Sequence, residues 1–317
     1  MSEKSSVLLV AHGSPDSPSD VPEFLANVTG GRKLPAEVVE EITSRYGQIG
    51  RSPLLEISQQ QAELLRARVG PEVPVYLAMR NWKPYISEVV GQMLAENISR
   101  AVVICLAPQN SRTSVGLYRS AVESAASGKM AIDFVEAWHD HPLLIRAFAE
   151  KLAPACEKLS SHSEKTGVIF TAHSVPARTI EQGDAYEKQA RETAALVAAQ
   201  VPNLAPEHWK FAFQSQGKYG VPWLGPTVEE TLLSFKAAGV TRILLQPVGF
   251  LCDHVEVLYD IDIAFQRFAR EHGLELQRTE SLNASPLLAG ALADLAQSKL
   301  TGLKHPAHMP MTAKPVA

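Results

Sequence analysis

Two histidines occupy the same place in two copies of one short phrase. His12 lies in residues 7–15 (VLLVAHGSP) and His173 in residues 168–176 (VIFTAHSVP) of the 317-residue chain. In both copies an apolar, β-favouring run leads directly into Ala-His. Ligands of open parallel sheets bind at the carboxyl ends of the strands, so each imidazole is predicted to point into a crevice. An imidazole titrates near neutral pH and is suited to accepting protons.

A pair of carboxylates follows the last apolar strand of the second half. Glu256 and Asp260 are four residues apart, so they share one face of the predicted helix. Asp253 could cap that helix, with Glu256 in the first turn, where the helix dipole favours a carboxylate. From spacing alone, a capping box with a solvated face stays open as the alternative. The position at the end of an apolar strand, across from His173, weighs against that alternative.

Alternating strands and helices must position these side chains. Strands are predicted at residues 7–10, 74–79, 101–106, 131–137, 168–171, 210–213 and 243–247. Amphipathic segments between them, joined by short connections, indicate parallel βαβ units. The predicted fold class is therefore α/β, with two similar Rossmann-like halves, each a parallel sheet flanked by helices, and a cleft between the halves. One continuous helix is predicted over residues 255–272.

The length allows two domains of ordinary size, each with its own core. A polar, serine-rich stretch marks the boundary between them. The predicted divisions are a first half at residues 1–160, a second half with the catalytic candidates at 161–283, a C-terminal helix at 284–302 and a disordered tail at 303–317.

Composition excludes several classes of function. The net charge of −4 lacks the basic excess of a nucleic-acid-binding surface. No apolar run approaches the roughly 18 residues of a membrane-spanning helix, and the polar first residues carry no secretory signal. Cys105, Cys156 and Cys252 are isolated, which fits a reducing compartment and excludes an iron–sulfur cluster ligated by this chain alone. We expect a soluble cytoplasmic protein, and a peripheral membrane contact stays open.

Further polar residues gather at the predicted strand ends. They are Arg80, Asn81, Gln109, Asn110, Ser111, Ser174, Gln214, Ser215 and Gln216. Each could equally cap a helix or satisfy a loop, and we prefer that interpretation for Asn110, Ser111 and Gln216 taken singly. The ring of Trp223 could line a flat ligand. His139 and His141 could bind a metal, but a surface loop is the preferred interpretation.

Short motifs in one characteristic order run along the chain. They are GSP at 13–15, RY at 45–46, IGRSPL at 49–54, AP at 107–108, TAHSVP at 171–176, FQSQG at 213–217, PWLGP at 222–226, and PVGF with DHVEVLYD within 247–260. The last group is highly specific. Over residues 7–300 the sequence resembles the ferrochelatase family, whose members insert Fe²⁺ into a porphyrin. The resemblance implies a porphyrin between the two halves, with His173 and Glu256 as the catalytic pair.

The implied reaction suits these residue types. Two pyrrole N–H protons must leave as iron enters, and an imidazole can take protons that carboxylates pass onward. His173, Glu256 and Asp260 are implied as transient ligands of Fe²⁺, to which imidazole and carboxylate groups can bind. Binding energy from the rest of the ring would support its distortion toward a saddle. No prosthetic group is implied, because Fe²⁺ is a substrate.

Porphyrin contacts are expected from both halves. The candidates are His12, Arg45, Ser52, Arg80, Ser111, Ser215 and Trp223, with Arg32 a further candidate for a propionate group. Relatives that use coproporphyrin commonly carry Tyr where this chain has His12, and residues 28–32 hold fewer arginines than theirs. Recognition of propionates therefore stays open, although the SPL-x5-QQ pattern at residues 52–60 leans toward coproporphyrin III over protoporphyrin IX. We predict that His12 faces His173 across the ring, as an axial ligand or as a support.

Two other functions stay open at this point. A cobalt or sirohydrochlorin chelatase of the same architecture typically uses a histidine pair, whereas His173 with Glu256 favours the porphyrin branch. A haem-binding protein without turnover would need a strong axial ligand and no proton-removing partner, so His12 without Glu256 would suit it better. The expected partners are a porphyrin and ferrous iron, with no nucleic acid. Transient contacts with a membrane or with haem-pathway enzymes are also open.

Overall fold

Two parallel four-stranded sheets organise the part of the chain that the structure, a computed structural model, describes. That part comprises residues 4–160, 166–217 and 220–302. The first sheet contains β1 (Ser5–Ala11), β2 (Val75–Met79), β3 (Arg100–Cys105) and β4 (Ala131–Val135), in the order β2-β1-β3-β4. The second contains β5 (Thr166–His173), β6 (Trp209–Gln214), β7 (Arg242–Pro247) and β8 (Glu275–Arg278), in the order β6-β5-β7-β8. The equal strand orders confirm the predicted α/β fold of two similar halves.

The central strand of each sheet leads into one of the repeated histidines. β1 pairs in parallel with β2 and β3, and β5 pairs in parallel with β6 and β7. Residues 7–10 of β1 and residues 169–170 of β5 are wholly buried, as expected for strands covered on both faces. His173 is the last residue of β5, and His12 directly follows β1. Parallel pairing therefore brings each imidazole to the carboxyl edge of its sheet.

Helices flank both sheets. They are α1 (Val21–Val28), α2 (Ala36–Ile49), α3 (Leu54–Val69), α4 (Ile86–Ala95), α5 (Val115–Ala126), α6 (Pro142–Ser160), α7 (Ala177–Glu181), α8 (Tyr186–Gln200), α9 (Val228–Ala237), α10 (Val255–Leu258), α11 (Gln266–Glu271) and α12 (Pro286–Leu300). A π-helical segment, Asp260–Phe265, lies between α10 and α11, and short 3₁₀ turns form at Pro18–Asp20 and Pro206–His208. Among the described residues, no helix combines the length and apolar character needed to cross a bilayer.

One apolar cluster runs from the first sheet to the second. It includes Leu9 of β1, Phe148 of α6 and Phe170 of β5, all wholly buried. α12 returns from the second sheet to pack on α3 and α6, and Arg100 Nη2 donates to the carbonyl oxygen of Lys299 at its end (2.9 Å). The two halves therefore share a core, in contrast to the separate cores expected from chain length, because α6 and α12 bury apolar side chains toward both sheets.

A smaller apolar cluster lies over the strand ends of the first half. Val21, Phe24 and Leu25 of α1 pack there with Tyr46 of α2 and with Trp82, which follows β2 shortly after its end. From this cluster α2 reaches α10 of the second half. α1 and α2 therefore bridge one side of the space between the two sheets.

The helix predicted over residues 255–272 is interrupted. α10 ends at Leu258, and the N–H of Ala264 then donates to the carbonyl oxygen of Tyr259, five residues earlier (2.9 Å). Such a π-type bond accommodates one inserted residue, after which α11 begins at Gln266. The apolar pattern is helical on both sides of the insertion, so periodicity could not show the break. β8 and α7, of 4 and 5 residues, were also not predicted.

Two sequence predictions fall on residues that the structure does not describe. The serine-rich boundary includes residues 161–165, and the tail spans residues 303–317. The disorder predicted for the tail and the division into domains stay predictions.

Candidate active site

His173 is held by several contacts at the end of β5. Its Nδ1 donates to the carbonyl oxygen of Ser174, and its own carbonyl oxygen accepts a hydrogen bond from the hydroxyl of Tyr186 (2.9 Å). Nε2 lies 3.3 Å from Oε1 of Glu256. Because Nδ1 is bound to a backbone carbonyl, Nε2 is the ring atom available to a ligand.

Glu256 lies between two imidazoles. While Oε1 faces His173, Oε2 lies 3.3 Å from Nε2 of His254, and Nδ1 of His254 lies 3.0 Å from the carbonyl oxygen of Cys252. The backbone carbonyl of Glu256 accepts from the side-chain amide of Gln214 (2.8 Å). Since α10 has only 4 residues, tertiary contacts of this kind must fix the position of Glu256.

The His173–Glu256 contact is an ion pair that is open to the cleft. Burial alone would lower the pKa of His173, but the charge and hydrogen bond of Glu256 raise that pKa to about 9. Burial would raise the pKa of Glu256, but His173 and His254 hold it well below its usual value. The side chains of His173 and Glu256 are 34% and 32% exposed, so a ligand in the cleft can reach both. Imidazolium and carboxylate are therefore the resting forms at neutral pH.

Asp260 follows Glu256 by about one helical turn and is bound from both halves. The hydroxyl of Ser215 donates to Oδ2, and Nη1 of Arg45 lies 3.2 Å from Oδ1. Burial raises the pKa of Asp260, and the charge of Glu256 raises it further against the opposing effects of Ser215 and Arg45. Ser215 has a left-handed backbone (φ 59°), a strained conformation for a residue other than glycine. Ser215 adopts this conformation in the structure in which its hydroxyl contacts Asp260.

Arg45 reaches from the first half into the second. Besides Asp260 it binds Glu41, with 2.7 Å between Nη2 and Oε1, and its guanidinium lies over the ring of Tyr259, 5.0 Å from the centroid. The structure therefore places this propionate candidate between two carboxylates that already compensate its charge.

His12 is exposed to the same cleft. Nδ2 of Asn81 lies 3.1 Å from Nδ1 and 3.3 Å from Nε2 of the imidazole, and Phe24 contacts the ring in an edge arrangement with 5.8 Å between centroids. Desolvation by the surrounding protein lowers the pKa of His12, against the charge of Glu256 and together with that of Arg80. His12 is therefore neutral at neutral pH.

The sequence of the chain is similar to those of known proteins over almost its whole length. A sequence model of the ferrochelatase family matches residues 4–300. The chain belongs to the ferrochelatase family. A protein named Ferrochelatase from Acidobacterium capsulatum is 51% identical over 319 residues, which cover 96% of this chain and 97% of the relative. A Ferrochelatase from Deinococcus radiodurans is 37% identical, with 92% and 95% covered. A Coproporphyrin III ferrochelatase from a Geobacillus species is 34% identical, with 94% and 98% covered.

Solved structures of chelatases share the fold of this ferrochelatase-family chain. SirB from Bacillus subtilis with Fe³⁺ matches with a TM-score of 0.58 at 13% identity, covering 95% of this chain and 99% of SirB. CbiX, described as the terminal enzyme for siroheme biosynthesis in denitrifying bacteria, matches with a TM-score of 0.53 at 15% identity, covering 92% and 98%. At such identities the likeness shows the two-domain fold alone.

The structure places three other residues that were expected to contact the porphyrin, each in a different environment. Ser52 is buried, and its hydroxyl lies 3.5 Å from the backbone N–H two residues later. The guanidinium of Arg80 lies over the ring of Tyr118, 5.6 Å from the centroid, and its buried Nε has no hydrogen-bond partner within the described part of the chain. The ring of Trp223 lies 6.4 Å from that of His173, so it borders the ion pair.

Ser111 belongs to the junction between the halves. Its hydroxyl donates to Oδ2 of Asp184 (3.1 Å), which also accepts from the N–H of Arg112 (2.7 Å). Oδ1 of Asp184 accepts from the N–H of Tyr186 (3.0 Å), the residue whose hydroxyl binds the carbonyl of His173. The structure therefore links Ser111 to the site through Asp184 and Tyr186 of the second half.

The prediction that His139 and His141 lie in a surface loop is wrong, since both side chains are buried. Nε2 of His139 lies 3.1 Å from Oε2 of Glu192, and its carbonyl oxygen accepts from the hydroxyl of Thr193 (2.9 Å). α8 of the second half covers this polar segment, which in isolation has the composition of an exposed loop.

Within residues 4–160, 166–217 and 220–302, no three or more His, Cys, Asp or Glu side chains are grouped to hold a metal ion.

Several residues that hold the site were not singled out from the sequence as functional. Tyr186 binds His173, and the hydroxyl of Thr171 donates to Oε1 of Gln214 (3.2 Å), the residue that supports Glu256. Neither has a local sequence signal, because both act through partners distant in the chain. The predicted cap of α10 is also absent: the residue before the helix is His254, without a side-chain cap bond, and Asp253 is bound elsewhere.

Proposed function

We propose that the protein inserts Fe²⁺ into a porphyrin, with release of two protons, in haem biosynthesis. Its membership of the ferrochelatase family supports the reaction, as does its 51% identity to a protein named Ferrochelatase. The observation that carries the proposal to individual residues is the 3.3 Å contact between His173 and Glu256 at the strand ends. A porphyrin in the cleft would meet a proton acceptor and a carboxylate at that point.

The ion pair sets the order of the proposed proton transfers. At neutral pH, His173 already holds a proton, because Glu256 raises its pKa to about 9. It can accept a pyrrole proton only after that proton has left. An Fe²⁺ ion that approaches Glu256 weakens the attraction between the pair and repels the imidazolium. Arrival of the metal would therefore discharge His173 and prepare it to act as a base.

Glu256 and Asp260 are the proposed route for iron and protons. Glu256 faces both His173 and His254, so it can exchange a proton with either imidazole. Asp260 follows it along the segment. We include His173, Glu256 and Asp260 as transient ligands of the incoming metal. For the metal to use Oδ1 of Asp260, Arg45 must release that atom.

The identity of the porphyrin is the finer part of the proposal. Similar relatives include proteins named Ferrochelatase and proteins named Coproporphyrin III ferrochelatase. Coproporphyrin III carries four carboxylates and protoporphyrin IX carries two, so cationic donors in the cleft should discriminate between them. Carboxylates already compensate Arg45, whereas Arg80 has a buried Nε without a hydrogen-bond partner in the described residues. Arg80 is therefore the cation that we propose for a propionate.

Steady-state assays under anaerobic conditions test the reaction. Coproporphyrin III, protoporphyrin IX and sirohydrochlorin are each offered with Fe²⁺ and with Co²⁺, to the wild-type protein and to His173→Ala. We expect Fe²⁺ insertion into at least one porphyrin and a loss of at least about 100-fold in His173→Ala, the lower range for a general base. Porphyrin binding by the variant, measured by fluorescence quenching, should persist. Turnover of sirohydrochlorin alone would identify the protein as the other type of chelatase.

Location and product transfer are part of the same proposal. Cys105, Cys156 and Cys252 are free thiols, which suits a reaction in the cytoplasm. Haem is a flat and largely apolar product, so we propose transient contacts with a membrane or with haem-pathway enzymes during its release. Cell fractionation and crosslinking of the full-length protein, with and without porphyrin, would test both.

A further inference from the structure

Arg278 joins the two ends of the segment that carries Glu256 and Asp260. Its Nε and Nη2 lie 2.7 and 2.9 Å from the two carboxylate oxygens of Asp262, and its Nη1 lies 3.2 Å from Oδ1 of Asp253. The bidentate pair with Asp262 fixes the plane of the guanidinium. One side chain at the end of β8 therefore holds positions 253 and 262, which bracket both candidate groups.

Asp253 is anchored at the same place by other donors. Its carboxylate accepts from Oγ of Ser281 (2.7 Å) and Nδ2 of Asn283 (3.0 Å), and its N–H donates to Oδ1 of Asn283 (2.9 Å). The N–H of Asn283 donates to the carbonyl oxygen of Leu251 (2.9 Å). The loop that leads into α10 is therefore tied to the connection between β8 and α12.

The segment depends on external contacts because it is a weak helix by itself. α10 has 4 residues and is followed by a π-helical turn, and neither arrangement is stable in isolation. Val257 and Ile261 bury one face of the segment in the core of the second half. Arg278 and Asp253 supply polar contacts, and their side chains are only 16% and 21% exposed. Water therefore screens their ion pair less than it screens a surface pair.

Arg278 makes these contacts outside the catalytic cleft. Arg278 and Asp253 line a separate cavity of about 480 Å³, and His173, Glu256 and Asp260 are not among the residues that line it. Arg278 therefore acts on the chemistry without lining the site itself, and the contacts above connect it to the position of the segment.

We infer that Arg278 is a positioning residue, which keeps Glu256 beside His173 by tying Asp253 to Asp262. This inference rests on the proposed iron insertion. Loss of a group that orients a functional side chain typically costs about 10- to 100-fold in activity. A displacement of only about 1 Å at a reacting group can have a similar effect.

Arg278→Ala and Arg278→Lys test the inference in the iron-insertion assay. We expect kcat to fall about tenfold or more in Arg278→Ala, with KM for the porphyrin within about twofold of wild type. Lysine keeps the charge but cannot bind two carboxylates as a planar fork, so Arg278→Lys should stay impaired. Guanidinium chloride at a non-denaturing concentration should restore part of the kcat of Arg278→Ala. Full activity of Arg278→Ala would overturn the inference.

Arg242→Ala is the matched control. Arg242 binds Glu275 through two nitrogens (2.9 and 3.4 Å) at the amino ends of β7 and β8, on the same pair of strands but away from the cleft. We expect it to lower the free energy of unfolding without lowering kcat. An equal fall of kcat in Arg242→Ala and Arg278→Ala would show a general loss of stability and overturn the inference. If Arg278→Ala does not fold, Asp262→Asn is the alternative, because it removes the bidentate pair alone. A kcat of Asp262→Asn equal to that of wild type would also overturn the inference.

A second measurement is independent of turnover. In the protein without substrates, the imidazole NMR signals of His173, assigned with His173→Gln, should shift in Arg278→Ala and remain in place in Arg242→Ala. Unchanged signals in both variants would contradict the positioning role. Inactivity of the wild-type protein with every porphyrin would instead refute the proposed function, and the NMR comparison would still decide the role of Arg278.

Discussion

Nε2 of His173 lies 3.3 Å from Oε1 of Glu256, so the proposed base of the reaction rests as one member of an ion pair. Burial opposes charge on both groups, but their mutual attraction is stronger and raises the pKa of His173 to about 9. The Nδ1 atom of His173 is bound to the carbonyl oxygen of Ser174, so the proton that matters is on Nε2, facing Glu256. The dependence of activity and stability on pH follows from this arrangement.

The pH profile of kcat/KM should have an acidic limb that ends near pH 9. This parameter reports the pKa values of the free enzyme, and His173 must lose its proton before it can act as a base. In Glu256→Gln the attraction is gone while burial still lowers the pKa of His173, so the limb should end at a lower pH, whatever the height of the plateau. Anaerobic initial rates at low porphyrin concentration measure both profiles. A limb at the same pH in both proteins would show that another group controls it.

The free energy of unfolding that His173 contributes should fall as the pH rises. Its pKa is raised on folding, so the stability that its charged form contributes is present below its ordinary pKa of about 6.5 and is lost as the pH rises through about 9. The advantage of wild type over Glu256→Gln in free energy of unfolding should therefore shrink from pH 6.5 to pH 9, as measured by urea denaturation. Glu280→Gln is the control, because Glu280 pairs with the ammonium group of Lys151 and with no histidine. A constant advantage would contradict the raised pKa.

Arg45→Ala should weaken the fold more than it changes the choice of porphyrin. Arg45 binds Asp260 and Glu41, so its removal should lower the free energy of unfolding by about 1–3 kcal/mol and reduce activity with both porphyrins equally. Arg80→Ala is the contrasting variant, and we expect its KM to rise about tenfold for coproporphyrin III and less for protoporphyrin IX. KM measured for both porphyrins in each variant shows which arginine affects the choice of porphyrin. A selective loss for coproporphyrin III in Arg45→Ala would restore Arg45 as a propionate ligand.

His12→Phe should change the absorption spectrum of the protein–haem complex. His12 is exposed to the cleft, and its lowered pKa keeps the imidazole neutral, the form that binds iron. Phenylalanine preserves a ring that can support the porphyrin but cannot ligate the metal. Spectra of the product complex recorded from about pH 6 to pH 8, where an ordinary histidine titrates, make the comparison. Superimposable spectra of wild type and His12→Phe would assign His12 to packing.

Local pattern predicted the positions that depend on local structure. The repeated strand–Ala–His phrase placed His12 and His173 at equivalent strand ends, and the structure has both at the carboxyl edges of central strands. The spacing of Glu256 and Asp260 predicted a helical relationship, but not the π-type turn that begins at Asp260. An inserted residue of this kind leaves the apolar period intact on both sides, so sequence alone could not reveal it.

Long-range partners account for what the sequence could not predict. Arg45 stays a propionate candidate, but the sequence could not show that Asp260, from the other half, lies 3.2 Å from it. Asp253 has the composition of a helix cap, yet its carboxylate is bound by Arg278, whose distance along the chain conceals the contact. Ser111 likewise meets Asp184 only because the two halves pack together. Arg45 keeps its local partner Glu41 beside the tertiary one, whereas Asp253 gives up the local role of a helix cap for its tertiary partner.

The apolar core that continues between the sheets makes the two walls of the cleft a rigid frame. Leu9, Phe148 and Phe170 belong to one close-packed cluster, so the sheets cannot swing apart as hinged jaws without opening that cluster to water. We therefore expect an entering macrocycle to meet two walls whose separation changes little. Under the proposed function, we therefore expect that the distortion implied for the ring would be supported by both walls together and not by a single side chain.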